Sequence, residues 1–323
     1  MRLPVRHALE LAPTSPFAFD ATFHKPDHFP SSDNAWEPGV RSQTMRWRGR
    51  LLGLRLEDAG SVNDPRVLAT VWAERQLTPG LLAELANELV YRYNLLLDLG
   101  DFERRFAGDE HLGPVLERWR GMRPMHPGSL YEYLVIAIVL QNATVRRSVQ
   151  MLEALFSHYG KRLCFDAASL SVFWEPKALA AAPEDDLRAL KVGYRAVSLR
   201  RVSAAVASGE IDEHRLRSAP LEEQRRALLA LYGVGPASIG YILVDVFHRL
   251  DELSHVSPWE QKIYSRLLFG TDPDRPVPVP RLLELFEQRF GGYRALAVHY
   301  LWEDLFWRWK TEGVDWLDRL IRR

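Results

Sequence analysis

The stretch Leu228 to Arg266 constrains this chain more than any other, because it sets Gly233-Val234-Gly235 between two apolar runs of helical spacing. Leu228, Leu229 and Leu231 bury one predicted helix, and Ile239, Ile242, Leu243 and Val246 bury the next. Glycine adopts backbone angles closed to other residues, so the pair permits a tight hairpin whose amide N–H groups point outward. At a helix start the dipole favours an anion, and the turn reads as a phosphate-binding device. The same glycines would serve equally well in a helix corner that binds nothing. Further along, Ser257-Pro258-Trp259-Glu260 opens a new helix.

Two kinds of pattern surround this stretch. Residues 1–80 hold short runs, Phe17–Phe19, Thr44–Trp47, Leu51–Leu56 and Val67–Trp72, broken by Gly39, Gly60, Asn63-Asp64 and Pro65. Such runs predict antiparallel strands joined by turns, a β-rich N-terminal domain. From Thr78-Pro79 the period changes. Thr78 is the expected N-cap, Pro79 takes the first helical position, and Leu81, Leu82, Leu85, Leu89, Tyr93 and Leu96 follow at helical spacing. Helical segments are then predicted to the C-terminus, including 130–140, 145–159, 187–193, 197–207, 221–231, 238–248, 258–268, 281–290 and 293–309. The expected fold is α+β and mainly α: a β domain over 1–80 and a helical core over 81–323 with the hairpin at 228–247. At 323 residues the chain is long enough for two or three packed units.

Lys plus Arg (42) equals Asp plus Glu (42), so any positive footprint is local. Cations collect at Arg188, Lys191, Arg195, Arg200 and Arg201 without an intervening acid, and Arg215, Arg217, Arg225 and Arg226 follow. Such a run could be a solvated helix face alone, but beside a phosphate-shaped turn it predicts a DNA-binding face with marked salt dependence. One cysteine, Cys164, excludes an internal disulfide and an all-cysteine metal site. A reducing cytoplasm is the expected compartment, and no stretch approaches a membrane span.

The segment Leu-Tyr-Gly-Val-Gly-Pro-Ala-Ser-Ile-Gly at 231–240 resembles the helix-hairpin-helix of the DNA glycosylase superfamily, with Tyr232 in place of the usual Pro. Leu130 to Gly160 is similar to the helix pair in which this family places a Gln or Asn wedge. Val192-Gly193-Tyr194-Arg195-Ala196 resembles a Gly-Tyr-Arg-Ala segment of 8-oxoguanine glycosylases, and Tyr293 to Trp309 the closing helix of 3-methyladenine glycosylases. The resemblance implies that Gly233, Val234 and Gly235 grip a phosphate of double-stranded DNA. It implies further that Na⁺ or K⁺ sits on the carbonyls of Leu229, Leu231 and Val234, and that Gln141 and Asn142 fill the gap left by an extruded nucleotide. Trp259 and Lys262 are further expected DNA contacts, and the protein is expected to act as a monomer with no cofactor in the chemistry. Gln141 and Asn142 could instead simply cap a break between two helices. Trp259 could be a core aromatic, as could the pairs Tyr131/Tyr133 and Trp302/Phe306.

Two departures limit the chemistry. The lysine that forms a Schiff base in strand-cleaving members is Ala237 here, so lyase activity by that route is not expected. The family's Asp at the start of the helix after the hairpin is Ser257, which carries no charge. Ser257 and Glu260 also spell Ser-x-x-Glu, a capping box that explains both structurally. Three readings stay open: Glu260 supplies the missing carboxylate, another acid such as Asp245 or Asp251 does, or the frame binds damaged DNA without hydrolysis. His255 is a weaker partner for Ser257, because adjacent side chains diverge.

Overall fold

The computed structural model describes residues 1–27 and 29–320. Strands β1 (Val5–Leu11), β2 (Asn34–Glu37), β3 (Val40–Trp47), β4 (Arg50–Asp58) and β5 (Val67–Ala73) form an antiparallel sheet in the order β1-β5-β4-β3-β2. The predicted runs at 44–47, 51–56 and 67–72 fall in β3, β4 and β5. Trp47 pairs with Arg50 across a two-residue turn in which Arg48 and Gly49 have φ of 47° and 72°. Positive φ at both turn residues matches the twist of the strands that they join. Phe17–Phe19 is not a strand. It leads into the short helix α1 (Phe19–Phe23), because Phe19, Phe23 and Tyr93 pack ring against ring under the sheet.

Helix α2 (Pro79–Arg92) starts as its sequence predicts: Thr78 Oγ1 accepts the Leu81 N–H at 3.3 Å with Pro79 in the first turn. Leu85, Leu89 and Tyr93 bury against the sheet. The chain then builds half of one helical lobe with α3 (Gly100–Phe106) and α4 (Leu112–Arg118). It next builds a second lobe from α5 (Leu130–Leu140), α6 (Val145–Tyr159), α7 (Pro176–Ala180), α8 (Glu184–Ala189), α9 (Arg195–Ala207), α10 (Glu213–Arg217), α11 (Leu221–Leu229) and α12 (Pro236–Asp245) around one apolar cluster. Helices α13 (Pro258–Phe269), α14 (Val279–Phe290), α15 (Arg294–Thr311) and α16 (Asp315–Asp318) return to complete the first lobe. The short crossing from α12 to α13 therefore bridges the two lobes.

One element escaped the sequence pattern. Strands β6 (Lys161–Phe165) and β7 (Ala168–Val172) form a hairpin within the helical half, and Leu163, Phe165, Leu170 and Val172 pack on Leu3, ahead of β1, and on Trp72 of β5. A second tie is polar. Arg217 binds both Glu88 oxygens at 2.7 Å and Glu213 at 2.6 Å, and lies over the Tyr91 ring at 4.0 Å. Glu213 in turn accepts the Leu130 N–H at 2.7 Å, so this network pins α2, α10 and the start of α5 together. Among the described residues, no helix is long and apolar enough to cross a membrane.

Candidate nucleic-acid interface and interlobe cleft

Helix α11 ends at Leu229, and the chain turns through Gly233 at φ +82° into α12, for which Gly235 is the N-cap and Pro236 the first residue. The two glycines are not equivalent. A side chain on Gly233 would be strained by its φ and would press into Ser198, its Cβ 2.8 Å from that of the serine. Gly235 has φ −107° and open space where a Cβ would stand, so its smallness matters only to something approaching from outside. The Val234 N–H donates to the Leu231 carbonyl at 3.1 Å and is spent inside the turn, a correction to the expectation that it points outward. The first-turn amides of Ala237 and Ser238 have no intrahelical partner and supply the outward donors together with Gly235.

Three segments singled out in the sequence meet at this turn. Gln141 and Asn142 form the break between α5 and α6, Asn142 at φ +48°, a backbone angle that asparagine tolerates. Gln141 Nε2 donates to the Gly233 carbonyl at 2.7 Å, and Asn142 Nδ2 donates to the Tyr194 hydroxyl at 3.2 Å. The Arg195 guanidinium donates to the Gln141 carbonyl and lies over the Tyr194 ring. Tyr194 and Tyr232 are 53% and 51% exposed, unusual for aromatics, and Leu140, Val145 and Leu229 beside them are exposed too. Arg201 stacks on Tyr232 at 4.3 Å. The result is an exposed surface of aromatics, cations and backbone amides around one hairpin.

The charge run divides under this geometry. Arg188, Arg215, Arg217 and Arg225 pair with Glu184, Glu223, Glu88/Glu213 and Glu252 and add little to a positive face. Among the described residues, Lys191, Arg200, Arg201 and Arg226 form no ion pair and remain available to an anion. Lys262 sits 3.6 Å from Asp274 on the surface. Trp259 donates its indole N–H to the Leu320 carbonyl at 2.9 Å and meets Trp302 edge-on at 5.1 Å, packing that accounts for this side chain without a nucleic acid.

At the lobe crossing the capping box forms as predicted. Ser257 Oγ accepts the Glu260 N–H at 3.3 Å, and Glu260 Oε2 accepts the Ser257 N–H at 2.8 Å. The other Glu260 oxygen accepts the Tyr241 hydroxyl at 2.6 Å, a bond from α12 that the sequence did not reveal. Glu260 is 8% exposed, yet Tyr241 is 45% exposed, so the pair stands where the crossing between the lobes meets solvent. Asp251 and His255 are exposed on the segment that crosses between the lobes.

Further along α12 lies a polar cluster contributed by both lobes and by the N-terminal segment. Tyr133 on α5 donates to Asp245 Oδ2 on α12 at 2.8 Å. The loop after α1 is clamped to α15: Glu303 accepts the Asp27 N–H at 3.0 Å, Trp302 Nε1 donates to Asp27 Oδ2 at 3.3 Å, and Lys310 donates to the Pro26 carbonyl at 2.6 Å. The clamp sets Lys25 Nζ 3.6 Å from Glu303. Burial disfavours the Lys25 ammonium, but Asp245, Asp27 and Glu303 outweigh it and hold the group above the usual lysine range. Burial, with Lys25 opposing it, raises Asp245, and burial with Lys25 nearby presses His299 down to about 3. Of this cluster the sequence marked only Asp245 as a candidate acid and Tyr133 and Trp302 as candidate core aromatics.

No protein-family model matches the chain. The chain nonetheless shares its fold with DNA glycosylases, and its sequence is similar to one of them. Its relatives include a probable N-glycosylase/DNA lyase of Methanothermobacter thermautotrophicus, 27% identical over 236 residues, covering 67% of this chain and 73% of that protein. Among solved structures, 3-methyladenine DNA glycosylase of Archaeoglobus fulgidus superposes with a TM-score of 0.72 at 16% identity, covering 95% of this chain and all (100%) of that one. The 8-oxoguanine glycosylase/lyase of Clostridium acetobutylicum, bound to double-stranded DNA with cytosine opposite 8-oxoguanine, gives 0.70 at 17%, covering 97% and 100%.

Proposed function

We propose that this protein binds damaged duplex DNA as a monomer, extrudes a modified base into the interlobe cleft and hydrolyses its N-glycosidic bond without cutting the strand. The observation that carries the reading is the Gln141–Gly233 contact, which fastens a polar tip for the vacated base stack to a turn suited to a backbone phosphate. A monovalent cation suits the carbonyls of Leu229, Leu231 and Val234, since Leu231 keeps a second lone pair beyond its bond to Val234. Such an ion would stiffen the turn and take no part in the reaction.

In the reaction, water adds to the sugar carbon, the C–N bond breaks toward the base, and the base leaves with a proton. The sugar gains positive charge on the way, and the Glu260 carboxylate, fixed by two donors at a helix start, supplies the opposing charge. Ala237 offers no amine, and Lys25 is held protonated, so neither forms a Schiff base with the sugar. A second reading, lesion binding without hydrolysis, draws on the same bonds, because both Glu260 oxygens already serve the cap and Tyr241. Duplexes carrying a panel of modified bases, treated with alkali after incubation, separate the two. Alkali-dependent nicks that vanish in Glu260→Gln and persist in Ser257→Ala support hydrolysis; tight, lesion-selective binding with no nick on any duplex supports the binder.

A further inference from the structure

The polar cluster beneath Glu260 has a geometry that names a class of base. Tyr241 and Asp245 lie four residues apart on α12, so they share a face about 6 Å apart along the helix axis. Tyr241 touches Glu260, and Asp245 stands one turn further along α12, where its charge acts on Lys25 of the N-terminal loop. A sugar held at Glu260 therefore directs its base down α12 to Asp245 and Lys25. The two groups are complementary. Asp245 accepts from Tyr133 through one oxygen and keeps acceptor capacity on the other. Lys25 Nζ lies 3.6 Å from Glu303 Oε1, too far to satisfy any of its three N–H donors, while that oxygen is itself buried without a hydrogen-bond partner. An ammonium with unused donors, near a carboxylate with a free oxygen, offers a ligand both kinds of hydrogen bond.

Building on the glycosylase reading, we propose that Lys25 and Asp245 form a specificity pair for a base with a lactam edge. Lys25 donates to the carbonyl oxygen, and Asp245 accepts from the adjoining ring N–H. Oxidised and deaminated purines share that edge; an ethenoadenine, with neither group, leaves both protein partners unpaired. The loop that carries Lys25 belongs to the N-terminal domain, so this domain takes part in choosing the lesion. The clamp of Trp302, Glu303 and Lys310 acts only by positioning Lys25.

The test is the affinity of the full chain for duplexes alike except for one residue: 8-oxoguanine, hypoxanthine, 1,N6-ethenoadenine or the undamaged base. Fluorescence anisotropy reads the affinities, and base release is followed in parallel. At least one lactam duplex is expected to bind about tenfold or more tightly than the ethenoadenine duplex, and which one separates oxidised from deaminated bases. That ratio should fall toward one in Lys25→Met, recover in Lys25→Arg and fall in Asp245→Asn, with thermal melts confirming that each variant is folded. Equal wild-type affinities, or a ratio that Lys25→Met and Asp245→Asn both leave intact, would overturn the pair. Lactam-selective binding with no base release keeps the pair and refutes hydrolysis; release with no lactam selectivity does the reverse.

Discussion

Replacing Glu260 with Gln removes one charge while nearly preserving shape, and its cost follows from three bonds. The carboxylate accepts from Tyr241 O–H at 2.6 Å and from Ser257 N–H at 2.8 Å, while Ser257 Oγ caps the Glu260 N–H. An amide has one acceptor oxygen, so one of the two donors must face an NH₂ group. Losing a hydrogen bond to a buried charged group costs about 1.5–3 kcal/mol, and losing the negative charge at a helix N-terminus about 0.3–1 kcal/mol. A destabilisation of about 2–4 kcal/mol results, measurable by urea unfolding. Ser257→Ala loses only the cap, about 1 kcal/mol. For single-turnover base release the order of effects separates further, because in the proposed mechanism Glu260→Gln also deletes the charge opposing the sugar cation. Release should then fall by about 10²–10³-fold, against little change in Ser257→Ala. Tyr241→Phe frees one carboxylate oxygen and should leave release largely intact. Release by Glu260→Gln within a few-fold of the native rate would refute the assignment. Losses in Glu260→Gln and Ser257→Ala that merely follow their stabilities would refute it as well.

The hairpin glycines should separate cleanly. Gly233→Ala is expected to destabilise by about 1–3 kcal/mol through its φ and Ser198, whereas Gly235→Ala should leave the melting temperature unchanged and still weaken salt-dependent DNA binding. Equal melting losses would overturn this account. Arg217→Met should cost about 3 kcal/mol by leaving Glu213 without its cation and Glu88 with Arg92 alone; purely additive losses in a denaturation cycle with Glu88→Gln would show that the network is not coupled. Acid should loosen the fold in two ranges. His126 and His299 are pressed down to about 3 from 6.5, chiefly by burial, so the unfolded chain binds protons first and stability falls as pH drops from 6.5 toward 3. The slope is about 1.4 kcal/mol per pH unit for each histidine. Glu88, held down at about 2 by Arg217 and Arg92 against the opposing effect of burial, keeps its contribution above 4.5 and loses it as pH falls toward 2. Melting curves at pH 7, 5.5 and 4.5 check the histidine range, and His299→Gln should flatten it.

Features governed by neighbours in sequence were legible in the chain itself. Thr78-Pro79 and Ser257-x-x-Glu260 announce helix starts because a cap is a contact across three residues. Helical periodicity marked α5, α6, α12 and α13, and the hairpin followed from glycine's freedom at Gly233. Gln141, Tyr194 and the hairpin were each noticed, but only packing brings them within hydrogen-bond reach, since Gln141 and Gly233 are 92 positions apart. The β6–β7 hairpin went unread because ten residues of alternation inside a helical region gain meaning only against Leu3 and Trp72. Of the cluster of Lys25, Asp245 and Glu303, only Asp245 was noticed, and without its neighbours. Its clamp joins Asp27 to Glu303 across 276 residues, and an isolated Lys or Asp looks the same in sequence whether it faces water or a cleft. Local hydrogen bonding thus determined where the elements begin and turn. Packing between lobes decided which charges are brought together, and it is those charges that define the candidate site.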